Sequence, residues 1–416
     1  MTISTDVCVV GGGPGGRALA LALVRLGRRV VLLEQRTGTA RAFRGESVSP
    51  DGVRLLAGLG VLERVREHAH EVHRLEITDG GAHVLDVRFD TFPYAYRRPV
   101  ELAQPVLLSA LAEAAAEQGG CTVLEPATAV ELLLDGSMVR GVRAKTPDGT
   151  VEIRAEVTVG ADGRYSSVRR LSGIGRGARR TELDRDVVWM KLPFPPAWDR
   201  RAYRVRISSG RHGLFLPSTD GTVRIGLNIP KGGLRELRSG GLDRLHARIA
   251  ELAPELEAEA VASLLSWSDT ALLDIFTTEV RRWSAPGVVL IGDAAHTLSP
   301  ILGQGVNHAL ADAVALAPLL AGALAGPRSA LPGALAAAVL SFQQEREGAV
   351  RRSRALQLRQ ERMFSLSAPP AAALRRAVYR AVNASPALQR RVLAPAYFPG
   401  QRPGSAAGHV RTEQRT

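Results

Sequence analysis

Asp6-Val7-Cys8-Val9-Val10-Gly11-Gly12-Gly13-Pro14-Gly15-Gly16 is the stretch whose reading decides the fold. A short β-branched run feeds straight into a glycine loop, and Pro14 to Leu26 follows with helical apolar spacing closed by Gly27. Arg29 to Glu34 is a second apolar run, so the order reads strand, helix, strand. Gly11, Gly13 and Gly16 occupy the three fixed positions of a dinucleotide-binding fingerprint. Gly11 permits the tight turn, Gly13 puts no Cβ in the path of a pyrophosphate, and Gly16 lets the helix approach the strand. With Pro14 and Gly15 at its start, the helix N-terminus offers free amides to the phosphates. Glu34, followed by Gln35 and Arg36, lies near the ~20-residue spacing at which an acid accepts from ribose hydroxyls. The same acid argues against a 2′-phosphate there, because two anions would repel.

Working outward, 416 residues at roughly 150 per domain make two or three domains. With 45% hydrophobic and 23% charged residues, disorder and fibrous repeats are excluded. Cys8 and Cys121 are too few for a disulfide framework, no secretory signal precedes the first strand, and a reduced cytoplasm is expected. The apolar stretch Ala313 to Phe342 is cut by Pro318, Pro327, Arg328 and Pro332, so it reads as Ala-rich helices and not as a transmembrane span. The histidines and acids show no metal-ligand spacing, so no metal is expected. The charge of +13 is almost all arginine, Lys145, Lys191 and Lys231 being the only lysines. Nothing marks a nucleic-acid module.

Arg74 to Val87 alternates like a hairpin around Asp79-Gly80-Gly81, a helix follows from Gln104 to Gln118, and further strands run to Gly160. Asp186 to Glu279 is again rich in alternating strands, Gly287 to Ile291 reads as a buried strand, and Gly305 to Leu320 as a helix. The expected division is a discontinuous nucleotide-binding domain (1–73, 99–180 and 283–343), a substrate-binding sheet domain (74–98 and 181–282), and a helical tail (344–416).

Two further segments sharpen this. Val159-Gly160-Ala161-Asp162-Gly163-Arg164-Tyr165-Ser166-Ser167-Val168-Arg169 follows one strand, and Ile291-Gly292-Asp293-Ala294-Ala295-His296, running into Pro300-Ile301-Leu302-Gly303-Gln304-Gly305-Val306-Asn307, follows another. With the glycine loop, Phe43-Arg44-Gly45-Glu46 and the helix-leading Gln104, this set resembles the para-hydroxybenzoate hydroxylase-like, single-component (class A) FAD-dependent monooxygenases. The resemblance covers roughly Asp6 to Phe364. It implies an α/β fold: a Rossmann-like FAD-binding domain interrupted by a mixed β-sheet substrate domain, with a C-terminal helical segment. It also implies that Asp293 accepts from a ribityl hydroxyl, that Gln104 touches the ribityl chain, and that Asp162 sits near the pyrophosphate. Arg44 would contact the FAD phosphates from a mobile loop. The Gly303, Gln304 and Gly305 amides, in a loop shaped by Pro300 and Asn307, would face the N1 and C2 carbonyl edge of the flavin. His296 reads as a structural hydrogen-bonding residue.

The implied activity is that of an NAD(P)H-dependent flavoprotein monooxygenase. Non-covalent FAD is reduced by transient NAD(P)H, dioxygen forms a C4a-hydroperoxyflavin, and an aromatic or other electron-rich small molecule, secondary metabolites included, is hydroxylated. The flavin carries the chemistry, so no protein nucleophile is required. By strand position Trp189, Tyr203, Phe215 and Asn228 are candidate substrate contacts, and Tyr203 or His212 a candidate base. Epoxidation or Baeyer–Villiger insertion is the alternative, and the Gly45-Glu46-Ser47 to Gly52-Val53 stretch faintly resembles squalene epoxidase-like members. A reading from another class is a flavin-holding adaptor protein. The tail carries Arg346, Arg351, Arg352, Arg354, Arg359, Arg362, Arg375, Arg376, Arg380, Arg390 and Arg391. It reads as a solvated helix face, and the sharper expectation is a dock for an acidic carrier protein or an anionic membrane surface.

Overall fold

A β-branched run that is buried along most of its length suits the interior of a parallel sheet, and Thr2–Val10 takes that place. In the computed structural model, which describes residues 1–38 and 46–404, it lies parallel to Val30–Leu33 and to Gly149–Gly160. Val7 pairs with Val30 on one side and with Val157 on the other. Cys121–Leu124 and Val288–Leu290 extend the sheet outward, also in parallel. Helix Pro14–Arg25 packs between Gln104–Gln118 and Gly305–Leu324. Gly305–Leu324 is long and apolar enough to cross a membrane, yet most of it is buried within the chain. Pro318 lies inside this helix and does not cut it. The packing on both sides tolerates the lost hydrogen bond, and the break falls instead between Leu324 and Leu331.

The second sheet, among the described residues, has seven strands in the spatial order Ala271–Leu273, Arg185–Pro193, Thr222–Pro230, Arg211–Pro217, Ala202–Ser208, Arg74–Asp79 and Ala82–Arg88. The hairpin closed by Gly80 and Gly81 joins it through a parallel pairing of Arg74–Asp79 with Ala202–Ser208. Alternation then sorts the side chains. Leu75, Ile77, Trp189, Tyr203, Val205 and Leu214 share one face. Val188, Met190, Phe215, Ile225 and Leu227 share the other, beneath helix Gly241–Leu252. Phe215, expected as a substrate contact, therefore does not line the cavity. Its neighbours Leu214 and Leu216 face the cavity, and Phe215 meets Trp198 edge-on at 5.7 Å.

The tail departs from expectation in two ways. Leu331–Ser365 is a single helix that crosses the expected boundary at 344, because its Ala-rich first half continues without a stop signal into the arginine-rich second half. Its residue Phe342 packs in the nucleotide-binding core, and Phe364 packs against the second sheet. Pro369–Ala384 and Pro386–Tyr397 then fold over that sheet. Nor is the arginine series wholly a solvated face. Arg346 Nε donates to Asp312 (2.8 Å), Arg354 Nη2 to the Thr278 carbonyl (3.0 Å), and Arg375 forks onto buried Asp79 at 2.8 and 2.9 Å.

Candidate active site

Between the two sheets and the tail helices lies a cavity of about 960 Å³. One end is walled by Gly11, Gly13, Pro14 and Gly15 with Glu34, Gln35 and Arg36. Gly11 has φ +112°, and a Cβ there would stand 2.4 Å from the Ala161 carbonyl oxygen. Gly16 does not line the cavity; a Cβ on it would meet the Gly11 carbonyl oxygen at 1.9 Å, so it sets the distance between helix and strand. At Gly13 a Cβ would meet nothing within 4 Å. That open cradle, under a helix N-terminus with no side-chain cap, is the shape and polarity a pyrophosphate requires. Glu34 is aimed by its own loop, accepting from the Gly12 amide (2.9 Å) and the Arg36 amide (2.9 Å).

The middle of the cavity is built by the two later motifs. Asp162 accepts from Ser166 Oγ (2.5 Å) and the Val168 amide (3.0 Å), so its carboxylate caps the short helix Ser167–Leu171, and burial pushes its pKa up. Asp293 lines the wall just beyond Val288–Leu290; burial raises its pKa, against the pull of Arg164 and Arg169. Arg169 ties the motifs together, donating to the Ala294 carbonyl (2.8 Å) and the Arg164 carbonyl (2.8 Å). Pro300, Gly303, Gln304 and Gly305 follow along the wall, with Gly303 left-handed at φ +61°. They lead into Gly305–Leu324, whose N-terminus also has no side-chain cap. Asn307 secures this loop, accepting from the Ser49 amide (2.9 Å) and donating to the Gly303 carbonyl (3.0 Å). Gln104 lines the same region from the start of its helix. Arg44 lies outside the described residues.

Behind this wall Asp312 accepts from the Gly292 amide (2.8 Å), and it pairs with His296 Nε2 (2.7 Å) and Arg346 Nε (2.8 Å). Burial alone would raise its pKa, but His296 and Arg346 hold it well below the ordinary carboxylate range. His296 thus makes a buried hydrogen bond behind the wall and does not line the cavity. Among the described residues no group of three or more metal-ligating side chains comes together.

The far end is largely apolar and is shared between the sheet face and the roof helices. Trp189 lies across Gly226, where a Cβ would stand 2.8 Å from the ring. Tyr203 Oη donates to Glu101 Oε1 (2.7 Å), which also accepts from Ser47 Oγ (2.5 Å), while Glu101 Oε2 accepts from Arg224 Nη2 (2.7 Å). Arg224 also pairs with Glu46 at 3.2 Å. Burial pushes the pKa of both Tyr203 and Glu101 up, against the pull of Arg224. Sequence reasoning missed Glu101 and Arg224; the available signal was a lone arginine within the apolar strand Thr222–Pro230. It missed the roof as well, where Arg359, Met363, Phe364, Tyr379, Val382 and Tyr397 line the cavity. His212 does not line it. That ring packs on Phe364 at 4.7 Å, and burial pushes its pKa down to about 3, so it is neutral. Asn228 lies at the strand end, on a separate pocket.

Residues 4–350 match the family model described as an FAD binding domain. Over 320 residues the chain is 40% identical to 6-methylpretetramide 4-monooxygenase of Streptomyces rimosus, an alignment spanning 76% of this chain and 75% of that enzyme. The chain belongs to the class A FAD-dependent monooxygenases. The monooxygenase superposes on Pseudomonas aeruginosa PqsL in complex with 2-aminobenzoylacetate with a TM-score of 0.77 at 26% identity, covering 92% of this chain and 100% of that one. It shares its fold with the OxyS anhydrotetracycline hydroxylase of Streptomyces rimosus (TM-score 0.75, 20% identity, 98% and 78% covered). The monooxygenase is therefore an FAD enzyme that hydroxylates with NAD(P)H as co-substrate, and not an adaptor. The Gly13 cradle, the aimed Glu34 and the uncapped helix ends fit that cofactor.

Proposed function

We propose that this monooxygenase hydroxylates a fused-ring aromatic phenol held between the second sheet and the roof helices. The observation that carries the reading is the continuity of one cavity from the fingerprint loop to an apolar chamber bordered by Trp189, Tyr203 and Tyr397. The 40% identity to an enzyme named for a tetracyclic substrate supports the size class. Bound FAD supplies the oxygen-transfer chemistry. For this chain, the Gly13 and Gly15 backbone would hold the pyrophosphate, Glu34 the ribose, and Asp293 with Gln104 the ribityl chain. The amides of Gly303 to Gly305 would hold the flavin ring edge. Residues 1–73, 99–180 and 283–343 act as the cofactor unit, while 74–98 and 181–282 form the chamber floor.

Tyr203 Oη accepts from the substrate phenol and passes its own proton toward Glu101, raising electron density on the ring that must attack electrophilic oxygen. Apolar walls keep water out while this happens. The test is turnover of tetracyclic phenols and of single-ring phenols under labelled dioxygen, read by mass spectrometry. One labelled oxygen in a phenolic product of the tetracycle is expected. An epoxide or ester product, or turnover of single rings alone, overturns the reading.

A further inference from the structure

A second pocket, of about 270 Å³, lies at the end of the second sheet away from the fingerprint. That is far more than the ~15 Å³ needed to admit one water. The turn Ser209-Gly210 closes one side, with φ +48° and +73° as a two-residue hairpin demands. Helix Gly241–Leu252 contributes Arg248, and Ser367 comes from the junction of the first two roof helices. Arg185, Arg211 and Asn228 complete the polar lining, which contains no carboxylate.

Among the described residues, two of these groups make no side-chain hydrogen bond or ion pair. Asn228 is 5% exposed, and no described residue bonds its amide, although it opens on the pocket. That leaves the amide free to bond whatever occupies the pocket. Arg248 makes no ion pair either; burial and the nearby Arg244 and Arg211 disfavour its charge, against Glu236 and Glu251. Arg211 is paired with Glu251 at 2.7 Å. Arg185 is fixed by the Gly210 carbonyl (2.7 Å) and Ser365 Oγ (3.2 Å), with Glu361 and Asp184 in its surroundings.

We propose that this pocket is a phosphate-binding site, in which Arg185, Arg211 and Arg248 take the anionic oxygens and the Asn228 amide and the serine hydroxyls complete the shell. Planar guanidinium forks match phosphate oxygens, and three cations with neutral donors suit a dianion. The ligand would bridge the Ser209 hairpin to Ser367. The phosphate could belong to the 2′-position of NADPH or be free in solution.

Calorimetric titration of the FAD-loaded full chain with inorganic phosphate, against chloride at matched ionic strength, tests the site. Saturable binding is expected, weakened at least tenfold in both Arg248→Gln and Asn228→Leu, with circular dichroism and flavin content confirming the fold of each variant. If NADPH is the source, Arg248→Gln raises KM for NADPH about tenfold, leaves KM for NADH unchanged, and phosphate competes with NADPH. If the source is free phosphate, both KM values stay put while phosphate binding is still lost. Absence of saturable phosphate binding, or equal affinity in the parent and both variants, overturns the proposal.

Discussion

Gly13 and Gly16, on one loop, should answer the same substitution in opposite ways. In Gly16→Val the new Cβ would enter the Gly11 carbonyl at 1.9 Å, a backbone atom that cannot move away cheaply, so the variant is expected to be insoluble or unfolded. Gly13→Val points into open space, so it should fold with a near-parental Tm yet purify without yellow colour. Circular dichroism and the flavin absorbance of each preparation separate the two outcomes. With Asp293 in the proposed ribityl-binding role, Asp293→Ala would remove one acceptor, worth about 1–3 kcal/mol, and FAD titration by fluorescence should show a Kd raised by about one to two decades. These residues are legible in sequence because their requirements are local: a turn, a close approach, an acid at a strand end. Glu101 and Arg224 were not legible, since each becomes functional only through a partner that folding brings from far along the chain.

At the scale of elements, the fork of Arg375 onto Asp79 pins the roof to the hairpin Arg74–Arg88, with both side chains at most 2% exposed. Arg375→Ala leaves Asp79 buried without its main partner, a loss of about 3–5 kcal/mol. Most of that loss falls on the docking of the roof, because no residue of the fingerprint end takes part in the fork. Limited proteolysis should therefore cut the variant between Ser365 and Tyr397 while the remaining fragment keeps its flavin; a cleavage pattern like the parent's would count against this. Arg375→Lys cannot form two parallel bonds and should fall between the two. The roof shows why some elements were readable and others not. The Asp79-Gly80-Gly81 turn and the Gln104–Gln118 helix announce themselves by local pattern, and both occur as read. An amphipathic helix announces only that one face is covered, and an inward arginine such as Arg346 has the same composition as an outward one. Phe215 illustrates the limit for strands, where a one-residue difference in register exchanges core for cavity.

Across the whole molecule, two buried histidines couple stability to pH. Burial pushes the pKa of both His212 and His308 down to about 3, against an ordinary value of 6.5. Below 6.5 the unfolded chain takes up two protons that the folded chain refuses, so stability is full above that value and is lost as pH falls toward 3. Each contributes about 1 kcal/mol per pH unit well below 6.5. A Tm series from pH 7.5 to 5 should decline, and His212→Phe or His308→Asn should each remove about half of this slope; an unchanged slope in both would refute it. The roof carries one more consequence. The family model ends at residue 350, whereas the chain segment that closes the chamber, from Leu356 to Tyr397, comes after it. The second-sheet floor thus lies within the matched residues, and a contiguous cassette of chain beyond them supplies the facing wall of the chamber. Transplanting that cassette from a relative, together with the partner of its Arg375 equivalent, should change the product spectrum and leave flavin loading untouched. One uninterrupted stretch of gene therefore encodes a wall of the chamber and no part of the fingerprint loop.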